Sequence, residues 1–384
     1  MAPRFRKILK TSEGQTTTTM ADTLYVRHGR LHYFVREVLK RLRVPATHAS
    51  KIGDVLIAAD LAGIEGEGVS RLPLFATRIR SGLVNPNPSI QVAHQEEAAA
   101  TIDGDNGMGH IVAMRSMDLA IELAKQYGVS AVAARNSNDF GMAGYYARLA
   151  LEEQMIGIVM SNSPPAMLPT YGKTAMLGAN PLAIAIPAAE DAAPFVLDCA
   201  TSGTSRHQLE DALRRGETIP SGLALDARGE MTEDPKAALE AMQLLPLGGA
   251  PETGSHKSFG LALAIDILSG VVSGGRTGRH LASGEATHQE VAGIGHFVVA
   301  IRLRAFTPWI KFRNRIKDMM RELTGSPATG APRVYYPGEA EYDIEQERRA
   351  SGIPIDTATA SELEGLARQL DVHDSWKHLL KERK

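Results

Sequence analysis

The stretch GVSAVAARNSNDFGMAGYYARLALEEQMIGIVMSN, residues 128–162, decides the fold class of this chain. Its first apolar run, GVSAVAA, is small and branched as a buried strand should be, and MIGIVMSN at the far end reads the same way. Between them Met142, Tyr145, Tyr146, Leu149 and Leu151 recur at roughly helical spacing. Strand, corner, helix and strand in succession are the building unit of an α/β protein. Asn136 to Gly141 form the strand-to-helix corner, and they raise a question: why does it carry an acid, Asp139, at the mouth of a helix?

The alternation continues on both sides. Upstream, DGDNGMGH reads as a turn and SMDLAIELAKQYG as a helix ending at Gly128. Downstream come a long loop from Ser163 to Pro181, the strands LAIAIPA and FVLDCA, the helix SFGLALAIDILSGVVSG and the late strand HFVVAIRL. Two helices follow, PWIKFRNRIKDMMREL and TASELEGLARQLDV, the second with Ser361 and Glu364 spaced as a capping box. Ahead of the alternation, Leu31, Phe34, Val35, Val38, Leu39 and Leu42 share one helix face, a second helix covers 46–62, and LPLFATRIRSG is a short third closed by Gly82.

The expected organisation has four parts. Residues 1–24 are a disordered extension, basic and then threonine-rich, with too short an apolar run for a secretory signal and a second possible start at Met20. Residues 25–95 are a helical N-terminal segment, 96–300 a cofactor-binding and catalytic α/β core, and 301–384 a C-terminal helical segment packing back on the N-terminal part.

Composition narrows the function classes. The chain has 384 residues, 43% of them hydrophobic and 22% charged, with a formal net charge of −2. That balance suits a globular enzyme and gives no basic field for nucleic acid. No apolar stretch approaches the roughly 18–20 residues of a membrane span. The single cysteine, Cys199, forms no internal disulfide, which fits a reducing cytoplasm. Beside Asp198 it reads as a small buried hydrophobe rather than a nucleophile.

Common motifs are missing. The glycine pairs 66/68, 107/109 and 293/295 lack the third glycine of a dinucleotide fingerprint, and there is neither a phosphate loop nor a serine-hydrolase elbow. DGDNGMG opens like a calcium loop, but its twelfth position is Met114, not glutamate. His28 and His32 sit four apart without a third ligand or a nearby carboxylate, so no metal is expected.

Six segments nevertheless add up: EGVSRLPLFATRIRSGLVNP, DGDNGMGHIVAMRSMDLAIELAKQYGV, RNSNDFGMAGYYA, MLGANPLAIAIPA, FVLDCATS and SHKSFGLALAIDIL. In this order they resemble the second family of malate/L-lactate dehydrogenases, which includes sulfolactate and ureidoglycolate dehydrogenases and a piperideine-2-carboxylate reductase. The resemblance runs from about residue 25 to 372. It implies a non-Rossmann NAD(P)-binding α/β fold with a mixed sheet, a homodimer with its active site near the subunit interface, and hydride transfer between NADH or NADPH and a small 2-oxo, 2-hydroxy or imino acid.

Carried over by position, the resemblance assigns Phe140, Gly141, Met142, Ala143, Ser163, Leu197, Asp198, Cys199, His256, Lys257 and Ser258 to the cofactor. Arg71 is the expected grip on a substrate carboxylate. The family's Ser-His-Gly run and its Asn-His-Phe-Gly corner each carry a proton-handling histidine. Here the first reads GEGVSR and the second NDFG, so Glu67 and Asp139 stand at the two histidine positions, and Ala179 replaces a common threonine.

Two readings of the acids stay open. Asp139 is either a helix N-cap, and Glu67 a helical partner of Arg71 four residues on, or both are catalytic groups. As catalytic groups they suit a cationic imine, which accepts a hydride without needing a proton, better than a ketone or a dicarboxylate. Lys173 is a substitute proton donor if burial depresses its ammonium. A redox-neutral isomerase, lyase or cyclase, a catalytically silent homologue and an ordinary 2-hydroxy acid dehydrogenase are the alternatives.

Overall fold

A computed structural model of the chain describes residues 23–189, 192–282 and 290–380. The expected 1–24 extension lies outside the described residues except for Thr23 and Leu24. In chain order the elements are β1 (Leu24–Val26), α1 (His28–Arg41), α2 (Ala46–Leu61), α3 (Leu72–Arg80), β2 (Gln91–Glu96), β3 (Ala99–Asp103) and α4 (Gly109–Tyr127). Next come β4 (Val129–Ser137), α5 (Ala143–Leu149), β5 (Met155–Ser161), β6 (Leu182–Ile186), β7 (Phe195–Cys199), α6 (Arg206–Arg215), β8 (Ala224–Leu225) and α7 (Pro235–Ala241). The chain then forms β9 (Gln243–Leu244), α8 (Ser255–Asp266), β10 (Ile294–Arg302), α9 (Trp309–Thr324), α10 (Glu339–Ser351), β11 (Ile353–Ile355), α11 (Thr357–Gln369) and α12 (His373–Leu380).

These elements gather into two compact units. Of the described residues, the first holds those up to Arg80, those of Ile186–Val196 and those from Leu303 on; the second holds those of Ser81–Ala185 and Leu197–Arg302. In the first unit α1 buries Leu31, Phe34, Val35, Val38 and Leu39, the face its spacing predicts. The C-terminal helices lie against the N-terminal ones: α12 on α1, with Trp376 edge-on to Phe34 at 5.5 Å, α11 on α3, and α10 on α2. β1 pairs antiparallel with β11, Leu24 opposite Ile355. His32 of α1 reaches Asp54 of α2 at 3.0 Å, so the carboxylate that the sequence reading did not find near this histidine comes from the next helix.

The second unit is built on a mixed seven-stranded sheet of order β2-β3-β4-β10-β5-β6-β7. β4 and β5 are both antiparallel to β10, so they run parallel to each other with the late strand inserted between them. That insertion lets α5 cross from one to the other. Val132, Ala134, Val159, Val298 and Ala300 are fully buried in these central strands, and α4 packs on β4 and β10.

Three local expectations are corrected. Residues 91–95, placed in the helical segment, belong to the exposed edge strand β2, which pairs with β3. α11 starts at Thr357, not near Ser361: Asp356 caps it, its carboxylate accepting the Thr359 N–H at 2.8 Å, while Glu364 pairs with Arg368. The chain must turn directly after β11, and the first capping side chain beyond that strand is Asp356; such a cap is worth about 1 kcal/mol. The helix expected over 258–274 closes as α at Asp266 and widens into a π-turn, Ile267–Val271, beyond which the Ser273 hydroxyl lies 2.6 Å from the Ser269 carbonyl.

Candidate active site

The strand-to-helix corner lies in the second unit, stitched to the 103–109 turn. Asn138 Nδ2 donates to the carbonyls of Asn106 at 3.1 Å and Gly107 at 2.8 Å, and the Asn106 N–H donates to the Asn136 carbonyl at 2.8 Å. Asn106 and Asn136 both have positive φ, 53° and 52°, a conformation asparagine tolerates better than most residues. The first residue of α4, Gly109, rests on the corner itself. A Cβ there would stand 2.0 Å from the Asn138 carbonyl oxygen and 2.5 Å from that of Asp139.

Asp139 does not cap α5. That helix starts four residues later, because Phe140, Gly141 (φ 71°) and Met142 are needed to make the turn. The Asp139 carboxylate instead accepts the Gly141 N–H at 3.1 Å, an Asx turn within the corner. The carboxylate that meets the helix is Asp198 on β7, which accepts the Gly144 N–H at 2.6 Å.

Phe140 turns inward, 5% exposed, stacked between Tyr146 at 5.2 Å and the imidazole of His296 at 4.7 Å. Its side chain is core, which leaves only its backbone to meet a ligand. Ser163 donates its N–H to the Asn180 side chain at 3.0 Å, and Asn180 Nδ2 donates to Ala262 of α8. The MLGANP loop, the residues after β5 and α8 are thereby drawn together. His256 and Lys257 are exposed in the first turn of α8, while the Ser258 hydroxyl is spent on the Leu247 carbonyl at 2.6 Å. Cys199 is half-buried; burial, then the Asp198 charge, push its thiol up, away from a nucleophilic thiolate.

In the first unit Glu67 and Arg71 occupy two short 3-10 turns, Glu65–Glu67 and Val69–Arg71, separated by Gly68. The single helical turn expected to pair them is therefore broken. The Arg71 guanidinium lies 5.8 Å from the Phe75 ring centroid. Lys173 is exposed on the loop before β6, so the burial that its proton-donor role required is missing.

A malate/L-lactate dehydrogenase family model matches residues 26–364. The malate dehydrogenase of Pyrococcus abyssi is 41% identical over 355 residues, covering 91% of this chain and 97% of that one. Among solved structures, the malate dehydrogenase of Pyrococcus horikoshii superposes with a TM-score of 0.84 at 37% identity, over 94% of this chain and 98% of that one. The sulfolactate dehydrogenase of Methanocaldococcus jannaschii does so with a TM-score of 0.82 at 35% identity, over 91% and 98%.

The chain belongs to the malate/L-lactate dehydrogenase family. It is an NAD(P)-dependent oxidoreductase on the mixed-sheet fold of that family, as the resemblance implied. Among the described residues no helix is long and apolar enough to cross a membrane, and no group of three His, Cys, Asp or Glu residues is placed to hold a metal ion.

Within this dehydrogenase the sequence reading missed two buried titratable groups. One is Asp60, beneath the Glu67–Arg71 turns. The other is His296. It sits on β10 between Ser161 of β5, 2.9 Å from Nδ1, and Ser137 of β4, 2.7 Å from Nε2. Ser161 Oγ also lies 2.9 Å and 3.0 Å from the carbonyls of Asn162 and Gly295, groups that only accept. The serine hydrogen therefore serves a carbonyl, which assigns the ring proton to Nδ1 and makes Nε2 the acceptor of the Ser137 hydroxyl. A serine on each flanking strand was the available signal, but only strand pairing brings them to the ring: Ser161 stands opposite His296, and Ser137 stands opposite Ile294, across a register shift in β10.

Burial pushes the His296 imidazole down to about 3, partly offset by the Asp139 charge and reinforced by His110 in the first turn of α4. The unfolded ring ordinarily titrates near 6.5, so between about pH 6.5 and 3 the unfolded chain binds the extra proton and stability falls as pH falls. This residue alone contributes a slope of up to about 1.4 kcal/mol per pH unit. Unfolding free energies from pH 7 to 4 should drop more steeply for the wild type than for His296→Gln, which keeps a donor and an acceptor but cannot titrate. Equal slopes would refute the assignment.

Proposed function

We propose that this chain catalyses NAD(P)H-dependent reduction of a small imino, or otherwise cationic, substrate bearing a 2-carboxylate. One observation carries the reading: carboxyl side chains, Glu67 and Asp139, stand where the family resemblance places proton-handling histidines, while Arg71 is retained. As residue types, a carboxyl is a stronger acid than an imidazolium and therefore a poorer match for donating a proton near neutrality. Ketone reduction needs a proton as well as a hydride; iminium reduction does not. Either acid repels a second carboxylate on the substrate and attracts a positive charge.

When bound, the nicotinamide supplies the hydride. The residues assigned to the cofactor suit a dinucleotide in kind. His256 and Lys257 are exposed in the first turn of α8, where a lysine at the positive end of a helix favours an anionic diphosphate, and Gly141 leaves the corner backbone open to close approach. The role proposed for Arg71 is to bind and orient the carboxylate, and for Asp139 to face the cationic centre. The active unit of the proposal is a homodimer. Leu261, Leu263, Ile267, Val271 and Val272 along α8 and its π-turn are exposed, an apolar stripe of the kind that association buries.

A second reading, an ordinary 2-hydroxy acid dehydrogenase, is favoured by the malate and sulfolactate dehydrogenases among the relatives. Titrating the protein with NADH and with NADPH, then assaying cyclic imino acids against oxaloacetate, pyruvate and sulfopyruvate, separates the two. Preference for the imines supports the proposal. Strong malate or lactate turnover overturns it in favour of the second reading, and turnover without cofactor oxidation would point to redox-neutral chemistry.

A further inference from the structure

Asp60 is held in a place that disfavours an acid twice. It sits in the last turn of α2, at the negative end of the helix dipole, and it is 1% exposed. Its Oδ2 accepts the Val69 N–H at 3.0 Å, and Gly68 presses on the same carboxyl so closely that a Cβ there would stand 1.9 Å from Oδ1. From α10, Arg348 clamps the assembly, donating to the Asp60 main-chain carbonyl and to the Glu65 carboxylate. The Arg348 side chain is only 11% exposed, so this clamp is shielded from solvent. Glu65 to Arg71 is the segment that presents Glu67 and Arg71. Its backbone is thus fixed at Val69 and Gly68 by one buried side chain, and the Glu65 side chain is held by one guanidinium.

We propose that Asp60 is a positioning residue whose buried carboxyl sets the conformation of the 65–71 turns and, through them, the reach of Arg71 toward the substrate carboxylate. The proposal rests on the reading of Arg71 given above. A carboxyl there differs from an asparagine in one respect that can be tested. Burial pushes it up to about 8, with the Val69 N–H opposing, Glu65 adding to the rise and Arg348 countering it. Asp60 is therefore neutral at pH 7 and gains a buried charge above about pH 8. The charged groups acting on it are Glu65 and Arg348, and Glu67 and Arg71 stand on the same two turns.

The test uses the full-length protein and its Asp60→Asn, Asp60→Ala and Arg71→Ala variants. Readouts are kcat and KM, inhibition by oxalate as a carboxylate probe, and deuterium exchange over residues 64–72. Asp60→Ala should raise KM and the oxalate inhibition constant by about tenfold or more, while kcat changes less than about threefold. Asp60→Asn, whose amide oxygen still accepts from Val69, should stay within about threefold of the wild type. Above pH 8 the wild-type KM should rise and that of Asp60→Asn should not. An Asp60→Ala variant with wild-type KM, alongside an Arg71→Ala variant impaired in KM, overturns the positioning role and leaves the carboxylate reading intact. If Arg71→Ala is silent, the carboxylate reading fails, and exchange over 64–72 decides the positioning role: faster in Ala but not in Asn upholds it, unchanged overturns it. Should Asp60→Ala not fold, the high-pH comparison of wild type with Asp60→Asn decides instead.

Discussion

Replacing Arg71 with alanine is expected to lower kcat/KM for a 2-carboxylate substrate by roughly two to three orders of magnitude, mostly through KM. A guanidinium grips a carboxylate through two parallel N–H bonds, and truncating one partner of such a charge pair costs about 2–5 kcal/mol. Two features make Arg71 suited to that task. It stands at the end of a 3-10 turn whose first N–H, that of Val69, is held by the Asp60 carboxyl. Its guanidinium also lies beside the Phe75 ring, which limits the side-chain freedom lost on binding. Arg71→Lys keeps the charge but not the fork, so it should fall between wild type and alanine. Steady-state kinetics on the preferred substrate check this. An alanine variant within about threefold of wild type would remove Arg71 from the site.

Gly109→Ala should be among the most damaging single methyls in the second unit. The added Cβ would stand 2.0 Å and 2.5 Å from two main-chain oxygens, those of Asn138 and Asp139. Neither is the free end of a flexible side chain. The corner cannot retreat easily, because Asn138 ties it to Asn106 and Gly107 and Phe140 is locked in its stack. Overpacking of this kind costs about 1–3 kcal/mol or more. It should appear as a fall of several degrees in melting temperature together with weaker cofactor binding, because Asp139 to Ala143 must shift. Gly365→Ala is the control. It lies in α11 with nothing within 4 Å of its Cβ, and should be neutral or stabilising by about 0.5–1 kcal/mol. Equal melting temperatures for Gly109→Ala and wild type would mean that α4 does not brace the corner.

The α/β class was readable from residues 128–162 because hydrophobic period is local: the spacing of Met142, Tyr145, Tyr146 and Leu149 and the runs on either side need no distant partner. The family could be read from six segments in register, and with it the fold and the redox class. Local reading failed where two side chains of the same kind compete for one task. Asp356 took the cap assigned to Ser361 and Glu364, and Asp198 took the contact with α5 that Asp139 was expected to make.

By itself the sequence determined the central run of β4, α5, β5, β6, β7 and β10, the helices α1 to α4 and the missing dinucleotide fingerprint, and it raised the proposal that Glu67 and Asp139 stand at histidine positions. Only the tertiary structure decided that β10 inserts between β4 and β5, that His296 is held neutral between two serines, and that Asp60 lies buried under the turn bearing Arg71. The physical reason is distance along the chain. Ser137 and His296 are 159 residues apart, and Arg348 is 288 from Asp60. A buried group takes its charge from neighbours that only packing supplies.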